Sequence, residues 1–201
     1  DPEVGIVISD TLFFNKNNEK TLYGKNPPLT GVVFEELLTS YFVSLETLVM
    51  RTSTVMELPR AFDPDFSFIA DFDLVVRLSR ISKLAYYPEV LAKWRVHESS
   101  DTWKYPLAFT EEKERWIVKQ IEEDSSFQEI YKKQIQIFNS KNYRERAIFE
   151  IRNNKNRVEA IRNVLKTRFI DWRDWVLLLL CITPFAGNIL LYIQKKKAQL
   201  A

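Results

Sequence analysis

Glycine is scarce, at four in 201 residues. A loop that cradles phosphate through closely spaced glycines is therefore excluded, and neither a P-loop nor a G-x-G-x-x-G turn is present. The single cysteine, Cys181, rules out an internal disulfide and fits a reducing compartment; within its apolar surroundings it makes no credible nucleophile. The single histidine, His97, leaves no basis for a His-rich metal cluster, a zinc site or a catalytic triad. No internal repeat or low-complexity tract stands out. There is no initiator Met and no signal peptide at the front; the chain opens on Asp1-Pro2-Glu3 and runs at once into a strand-like segment, which reads as a fragment of a larger architecture.

What is present is ordinary for one folded domain with an extension: 46% hydrophobic and 28% charged residues. The net charge of +2 hides an asymmetry. Residues 1–103 hold 10 Lys and Arg against 15 Asp and Glu, a balance of −5, whereas residues 104–201 hold 19 against 12, a balance of +7. An acidic half joined to a basic half points the second toward an anionic partner, phospholipid or nucleic acid.

Val4 to Phe14 is an apolar, β-branched run and predicts a buried strand. Thr21 to Gly24 can pair back on it. A helix is expected from an N-cap at Thr30 to about Tyr41, an extended stretch over Phe42 to Met50, and a short helix over Thr52 to Leu58. Asp71 to Arg80 has helical spacing, with Leu74, Val75, Leu78 and Ile81 on one face and Asp73 and Arg77 at i,i+4 on the other. Lys83 to Tyr87 and Val90 to Val96 read as strands separated by Pro88-Glu89. Beyond Tyr105 the texture turns helical and charged, over 111–123, 127–152 and 157–169, with the domain boundary near Asp101 to Pro106.

Trp175 to Gln194 carries no charge, a length at the threshold for a membrane span. Pro184, Gly187 and Asn188 fall in its middle, so a helical hairpin or a helix lying in the interface fits better than a straight span. A pair of core helices in a soluble domain is the plainer alternative. The segment Lys141 to Arg173 holds ten Lys and Arg against four Asp and Glu, which beside an uncharged stretch reads as docking on anionic lipid headgroups. Nucleic-acid binding is disfavoured, since no RNP, zinc-finger or clear helix-turn-helix pattern supports it.

The chemistry-bearing residues cluster between Phe66 and Thr102. Asp71 heads a helix, where an aspartate is ordinarily an N-cap; the functional alternative is a general base that takes a proton from an acceptor hydroxyl. Asp71-Phe72-Asp73 and Asp63-Pro64-Asp65 both look like the D-x-D that holds Mg²⁺ or Mn²⁺ on a diphosphate, but neither pair is specific, and side chains two apart on a helix diverge. Arg95 and His97 project from one face of a strand, offering two donors to phosphate or carboxylate.

Taken in order, these pieces resemble the C-terminal half of family-2 inverting glycosyltransferases of the GT-A fold. The loop Ala61-Phe62-Asp63 corresponds to a G-F-D loop, Ala70-Asp71-Phe72-Asp73-Leu74-Val75-Val76-Arg77-Leu78 to E-D-x-D-L-x-x-R-L, and Leu91 to His97 to a strand ending L-x-x-Y/W-R-x-H before a Ser/Thr turn. The likeness covers about residues 4–102, with Ala70 and Ala61 departing from the family's Glu and Gly. It implies an α/β fold with a partial GT-A (Rossmann-like) domain over 1–103; the charge and the uncharged run add a helical, membrane-associating extension over 104–201 with its apolar tail at 175–194. It implies Asp71 as the catalytic base, and Asp73, Trp94, Arg95 and His97 on the substrate or donor-phosphate side, His97 being a possible metal ligand and no other metal ligand being assigned. The expected partners are a nucleotide-sugar donor, a glycan or lipid-linked acceptor and an anionic membrane surface, without nucleic acid. A divalent cation, Mg²⁺ or Mn²⁺, belongs to the intact enzyme, its main ligands lying outside this chain together with the nucleotide-binding strands. The isolated chain is accordingly expected to be inactive, and the intact protein to act at the cytoplasmic face of the cell membrane in surface polysaccharide or glycolipid synthesis. The alternative is a non-catalytic, membrane-peripheral interaction module in which Asp71 only caps its helix.

Overall fold

The apolar run Val4–Phe14 forms the central strand, β1, with Ile6 and Ile8 fully buried. The computed structural model describes residues 1–97 and 101–200, with side chains described except at 102, 103 and 194–200. Strand β4, Lys83–Arg95, lies parallel to β1 along its whole length, from Val4 opposite Lys83 to Phe14 opposite Arg95. That occupies one edge of β1. The other is shared by two short antiparallel strands: β2, Glu19–Thr21, at the far end, and β3, Val49–Met50, at the near end. The result is a small mixed sheet, and the chain is a mixed α/β protein.

Pro88 and Glu89 do not end a strand. Ser9 pairs with Tyr87 and Asp10 with Val90, so the two residues bulge out of one continuous β4. Proline has no N–H for the ladder, and a bulge is where a strand tolerates it.

Helix α1, Phe34–Thr39, starts later than the Thr30 cap predicts, and Val33 stands at its N-cap position without a side-chain cap. The cause is a long-range bridge. Gly31, at φ +87°, exchanges both backbone hydrogen bonds with Leu84, at 2.7 and 2.9 Å, which commits the chain before Val33 to the sheet. Between α1 and β3 the chain is irregular apart from a single 3₁₀ turn, Leu45–Thr47, flanked by extended Ser44 and Leu48, and α2 spans Thr52–Glu57. Helix α3, Ala70–Ser79, buries Leu74, Val75 and Leu78 of the expected face, but Ile81 lies beyond its end and is exposed, and Phe72, Asp73 and Val76 are buried as well, so the helix is covered on more than one side.

The molecule divides into two compact units, Asp1–His97 and Glu98–Ala198. The second is helical: α4 (Asp101–Lys104), α5 (Pro106–Glu123), α6 (Phe127–Ile130), α7 (Lys132–Arg152), α8 (Arg157–Lys166), α9 (Trp172–Ile182) and α10 (Ala186–Leu200). Trp116 and Phe127, both fully buried, meet edge to face at 6.3 Å, and Phe138 packs on Trp116 at 6.1 Å. A second cluster joins Ala147 and Ile151 of α7, Ala160 and Val164 of α8, Leu177 and Cys181 of α9, and Ala186 of α10.

The uncharged stretch is broken, with α9 ending at Ile182 and α10 starting at Ala186. Among the described residues no helix is long and apolar enough to cross a membrane, so the straight span is replaced by two helices meeting at Pro184. A Cβ on Gly187 would lie 2.8 Å from the Ile151 carbonyl oxygen, so the start of α10 packs on the end of α7 as closely as backbones allow.

Candidate functional site

Asp71 is the second residue of α3, not its cap. Ile69 occupies the N-cap position, and no side chain caps the helix. The capping role considered for Asp71 is thereby corrected: its carboxylate is half-buried and accepts a hydrogen bond on Oδ2 from the Tyr41 hydroxyl at 3.4 Å. Tyr41 is held by an edge-to-face contact with Phe72 at 5.3 Å. Burial first, and the Asp71 charge second, push the Tyr41 phenol far above the usual tyrosine range, so it remains a donor at every ordinary pH.

The neighbouring aspartate does something different. Asp73 was expected on the exposed face, toward substrate; it is 1% exposed, and Arg77 contacts both its oxygens, Nε to Oδ1 at 2.9 Å and Nη2 to Oδ2 at 2.6 Å. The same guanidinium donates to the carbonyls of Arg60 and Ala61, each at 2.7 Å. A planar fork with five N–H donors can satisfy a carboxylate and two carbonyls at once, which lysine cannot. Asp73 and Arg77 thus tie the Arg60–Ala61 loop to α3, and the aspartates of the Asp71-Phe72-Asp73 triplet divide into one facing Tyr41 and one serving structure.

Tyr23 and Glu46 act on the Tyr41 phenol, and both belong to a network that sequence reasoning missed. Asp10, on the face of β1 that carries Ile6 and Ile8, is 5% exposed. Its carboxylate accepts backbone N–H groups from Thr11 (2.9 Å), Tyr23 (3.0 Å) and Gly24 (3.0 Å), which is how a charge is kept in such a place. Gly24, at φ +54°, allows the turn that brings the last two N–H groups to it. Thr11 donates to Ser44 at 2.9 Å and Ser44 donates to Glu46, linking β1 to the 3₁₀ turn through a chain of hydroxyls ending on an exposed carboxylate. Tyr23 donates to the Phe42 carbonyl at 2.7 Å; burial, with a smaller contribution from Asp10, pushes its phenol up to about 12. Both phenols feel the Glu46 charge, so Tyr41 stands within the field of two carboxylates, Asp71 and Glu46. The one signal in the sequence was a charged residue, Asp10, inside an otherwise apolar strand.

Trp94 and Arg95 stand at the end of β4, opposite Phe13 and Phe14. Trp94 meets Phe13 edge to face at 5.0 Å, and the Arg95 guanidinium lies 5.4 Å from the centre of the Phe14 ring. These ring contacts are to β1 rather than to Asp71 or Tyr41. The ladder continues to Val96, whose N–H reaches the Phe14 carbonyl at 2.9 Å, and His97 is exposed just beyond. The Ser/Thr turn expected to follow, at 98–100, lies outside the described residues.

Among the described residues no three of His, Cys, Asp and Glu are grouped for a metal. Asp73 is committed to Arg77. Asp63 is buried, with Oδ1 taking the Asp65 N–H at 3.1 Å and standing 3.6 Å from Arg60.

No protein-family model and no solved structure matches the chain. Over 73 residues, 36% of this chain, it is 33% identical to a protein of Haemophilus influenzae named as an uncharacterized glycosyltransferase. The match takes in 23% of that protein, so the chain spans about a quarter of the length of the curated relative it resembles.

Proposed function

We propose that this chain is the acceptor-side part of an inverting glycosyltransferase, with Asp71 as its general base and the nucleotide-binding part supplied from outside these 201 residues. The observation that carries the reading is that Asp71, two residues from a fully committed Asp73, caps nothing and keeps its carboxylate beside a hydroxyl-bearing partner, Tyr41. The partial likeness to a protein named as a glycosyltransferase supports the reaction class.

Asp71 takes the proton of an acceptor hydroxyl held where it competes with, or bridges to, the Tyr41 phenol. The acceptor oxygen attacks the anomeric carbon of a nucleotide sugar from the face opposite the leaving group. The new glycosidic C–O bond forms as the bond to the diphosphate breaks, and the nucleoside diphosphate departs with the electron pair. One displacement inverts the anomeric centre. A half-buried carboxylate needs no unusual environment to accept a proton that becomes acidic only as the C–O bond forms. Arg95 and His97, exposed at the end of β4, supply donors toward the departing diphosphate, with Trp94 beneath them. A Mg²⁺ or Mn²⁺ ion, where the intact enzyme carries one, would neutralise that diphosphate.

The test is turnover of a panel of UDP-, GDP- and dTDP-sugars by the longer polypeptide that contains this chain. Asp71→Asn should lower kcat by about 10²–10⁴-fold, the range for loss of a general base, with the nucleotide-sugar KM little changed. Undiminished turnover by the variant would refute the base assignment.

A further inference from the structure

The α9–α10 pair has two apolar faces, and only one is used inside the protein. Leu177 and Cys181 point inward, and Asp174 is anchored at 2.7 Å to Arg144. On the outward side Trp172, Trp175, Val176, Leu179 and Ile182 follow i, i+3, i+4, i+7 and i+10 spacing, and all are exposed, from 43% at Val176 to 73% at Trp172. Phe185 in the turn, at 70%, and Tyr192 on α10, at 66%, continue the surface. A helix apolar on all sides belongs either in a core or in lipid, and contiguous exposed apolar side chains on this scale mark an interaction site.

We propose that this broken helix pair is an in-plane anchor on an anionic phospholipid bilayer, its outer face entering the boundary between headgroups and acyl chains. Charge selects the occupant. Residues 132–200 carry 15 Lys and Arg against 5 Asp and Glu, so a second copy of the same face would bring like charge to like. Anionic headgroups are the complement, and Lys195, Lys196 and Lys197 follow the uncharged run directly. Trp172, Trp175 and Tyr192 are the side chains that favour headgroup depth, with apolar bodies and polar tips.

The break between the helices is itself prepared for a dry setting. Carbonyls at a helix end normally need water, and lipid offers none. Here Arg157 donates to the carbonyls of Cys181 (3.2 Å), Thr183 (2.7 Å) and Pro184 (2.7 Å), and the Thr183 hydroxyl donates to the Leu179 carbonyl at 2.9 Å. A cation at a helix C-terminus also opposes the dipole. The depth expected for such a helix is about 5–10 Å below the headgroups, and neither helix crosses the bilayer.

Flotation of the whole chain with vesicles tests this, using phosphatidylcholine alone and phosphatidylcholine mixed with phosphatidylglycerol. Binding should favour the anionic vesicles, weaken with added salt, and fall at least about tenfold in a Leu179→Glu, Ile182→Glu variant of unchanged helix content. As a check independent of that variant's folding, brominated acyl chains should quench the wild-type tryptophan fluorescence, and Trp172→Phe with Trp175→Phe should remove most of the quenching. No binding at low salt, binding equal in the variant, or quenching that survives loss of both tryptophans would each overturn the proposal. So would a concentration-dependent dimer that the glutamates dissociate in a protein that ignores vesicles, which would assign the face to a second copy. Asp71→Asn should bind vesicles as wild type does, so failure here is distinct from failure of the transferase reading.

Discussion

The Tyr41 hydroxyl reaches Oδ2 of Asp71 at 3.4 Å while its ring stands edge-on to Phe72, the next residue of the same helix. One side chain thus reads two consecutive residues of α3, the ring fixing the position and the phenol marking where a hydroxyl sits against the carboxylate. Tyr41→Phe keeps the ring contact and loses the donor. At 3.4 Å the bond is at the weak end, so the variant should cost less than about 1 kcal/mol in urea denaturation. Transferase turnover should fall by roughly tenfold or less, well short of the loss from Asp71→Asn.

The two aspartates of α3 should separate cleanly by assay. Asp71→Asn removes no ion pair and no cap, so its unfolding midpoint should match wild type while turnover collapses. Asp73→Asn leaves the Arg77 guanidinium facing a neutral amide in a buried site, and it should destabilise the fold by about 3–5 kcal/mol. Arg77→Lys should be nearly as damaging, because an ammonium cannot reach the Asp73 carboxylate and the Arg60 and Ala61 carbonyls together. Equal midpoints for the two Asn variants would contradict this division.

What could be read from the chain alone depended on how local the cause was. The β-branched run of β1 and the spacing of Leu74, Val75 and Leu78 act within a few residues, and both elements form where expected. Pro184 breaks the apolar stretch for an equally local reason. The start of α1 failed because Gly31 answers to Leu84, far along the chain. Asp73 was placed outward by helical periodicity, which knows nothing of the Arg60–Ala61 loop that Arg77 fastens down. Thr11 meets Ser44 only once β1 and the 3₁₀ turn have packed, and Asp10 gains the Tyr23 and Gly24 N–H groups only when the turn that carries them folds back on the strand; no spacing rule links them. The Tyr41–Asp71 contact, between residues 30 apart, is of the same long-range kind, although Asp71 itself was legible from the sequence.

Alkaline pH should loosen the first unit for a reason that can be assigned. Tyr23 titrates near 10.0 when unfolded and at about 12 when folded. Between those values the unfolded chain has released the proton and the folded one has not, so stability falls as pH rises through that window and is unaffected below it. Tyr41 is shifted in the same direction and extends the loss upward. Urea midpoints measured from neutral pH into this range should fall, and Tyr23→Phe should flatten the decline. A slope identical in the variant would exclude Tyr23 as its source.

Arg157 holds the turn between α9 and α10 in place. Three carbonyls, those of Cys181, Thr183 and Pro184, converge on one guanidinium that begins α8. Alanine there leaves the Cys181 and Pro184 carbonyls without that donor, leaves Thr183 only the Ala186 N–H at 3.3 Å, and removes a cation from the C-terminus of α9. Charge-assisted hydrogen bonds contribute about 1.5–3 kcal/mol each when buried, but this site is partly wet, and the summed loss should be nearer 2–4 kcal/mol. Lysine can serve only part of the set, so Arg157→Lys should recover less than half of it. Hydrogen exchange gives the local readout: amides of α9 and α10 should lose protection in Arg157→Ala while those of α5 keep it. Uniform loss across the unit would mean that the turn has no separate stability to lose.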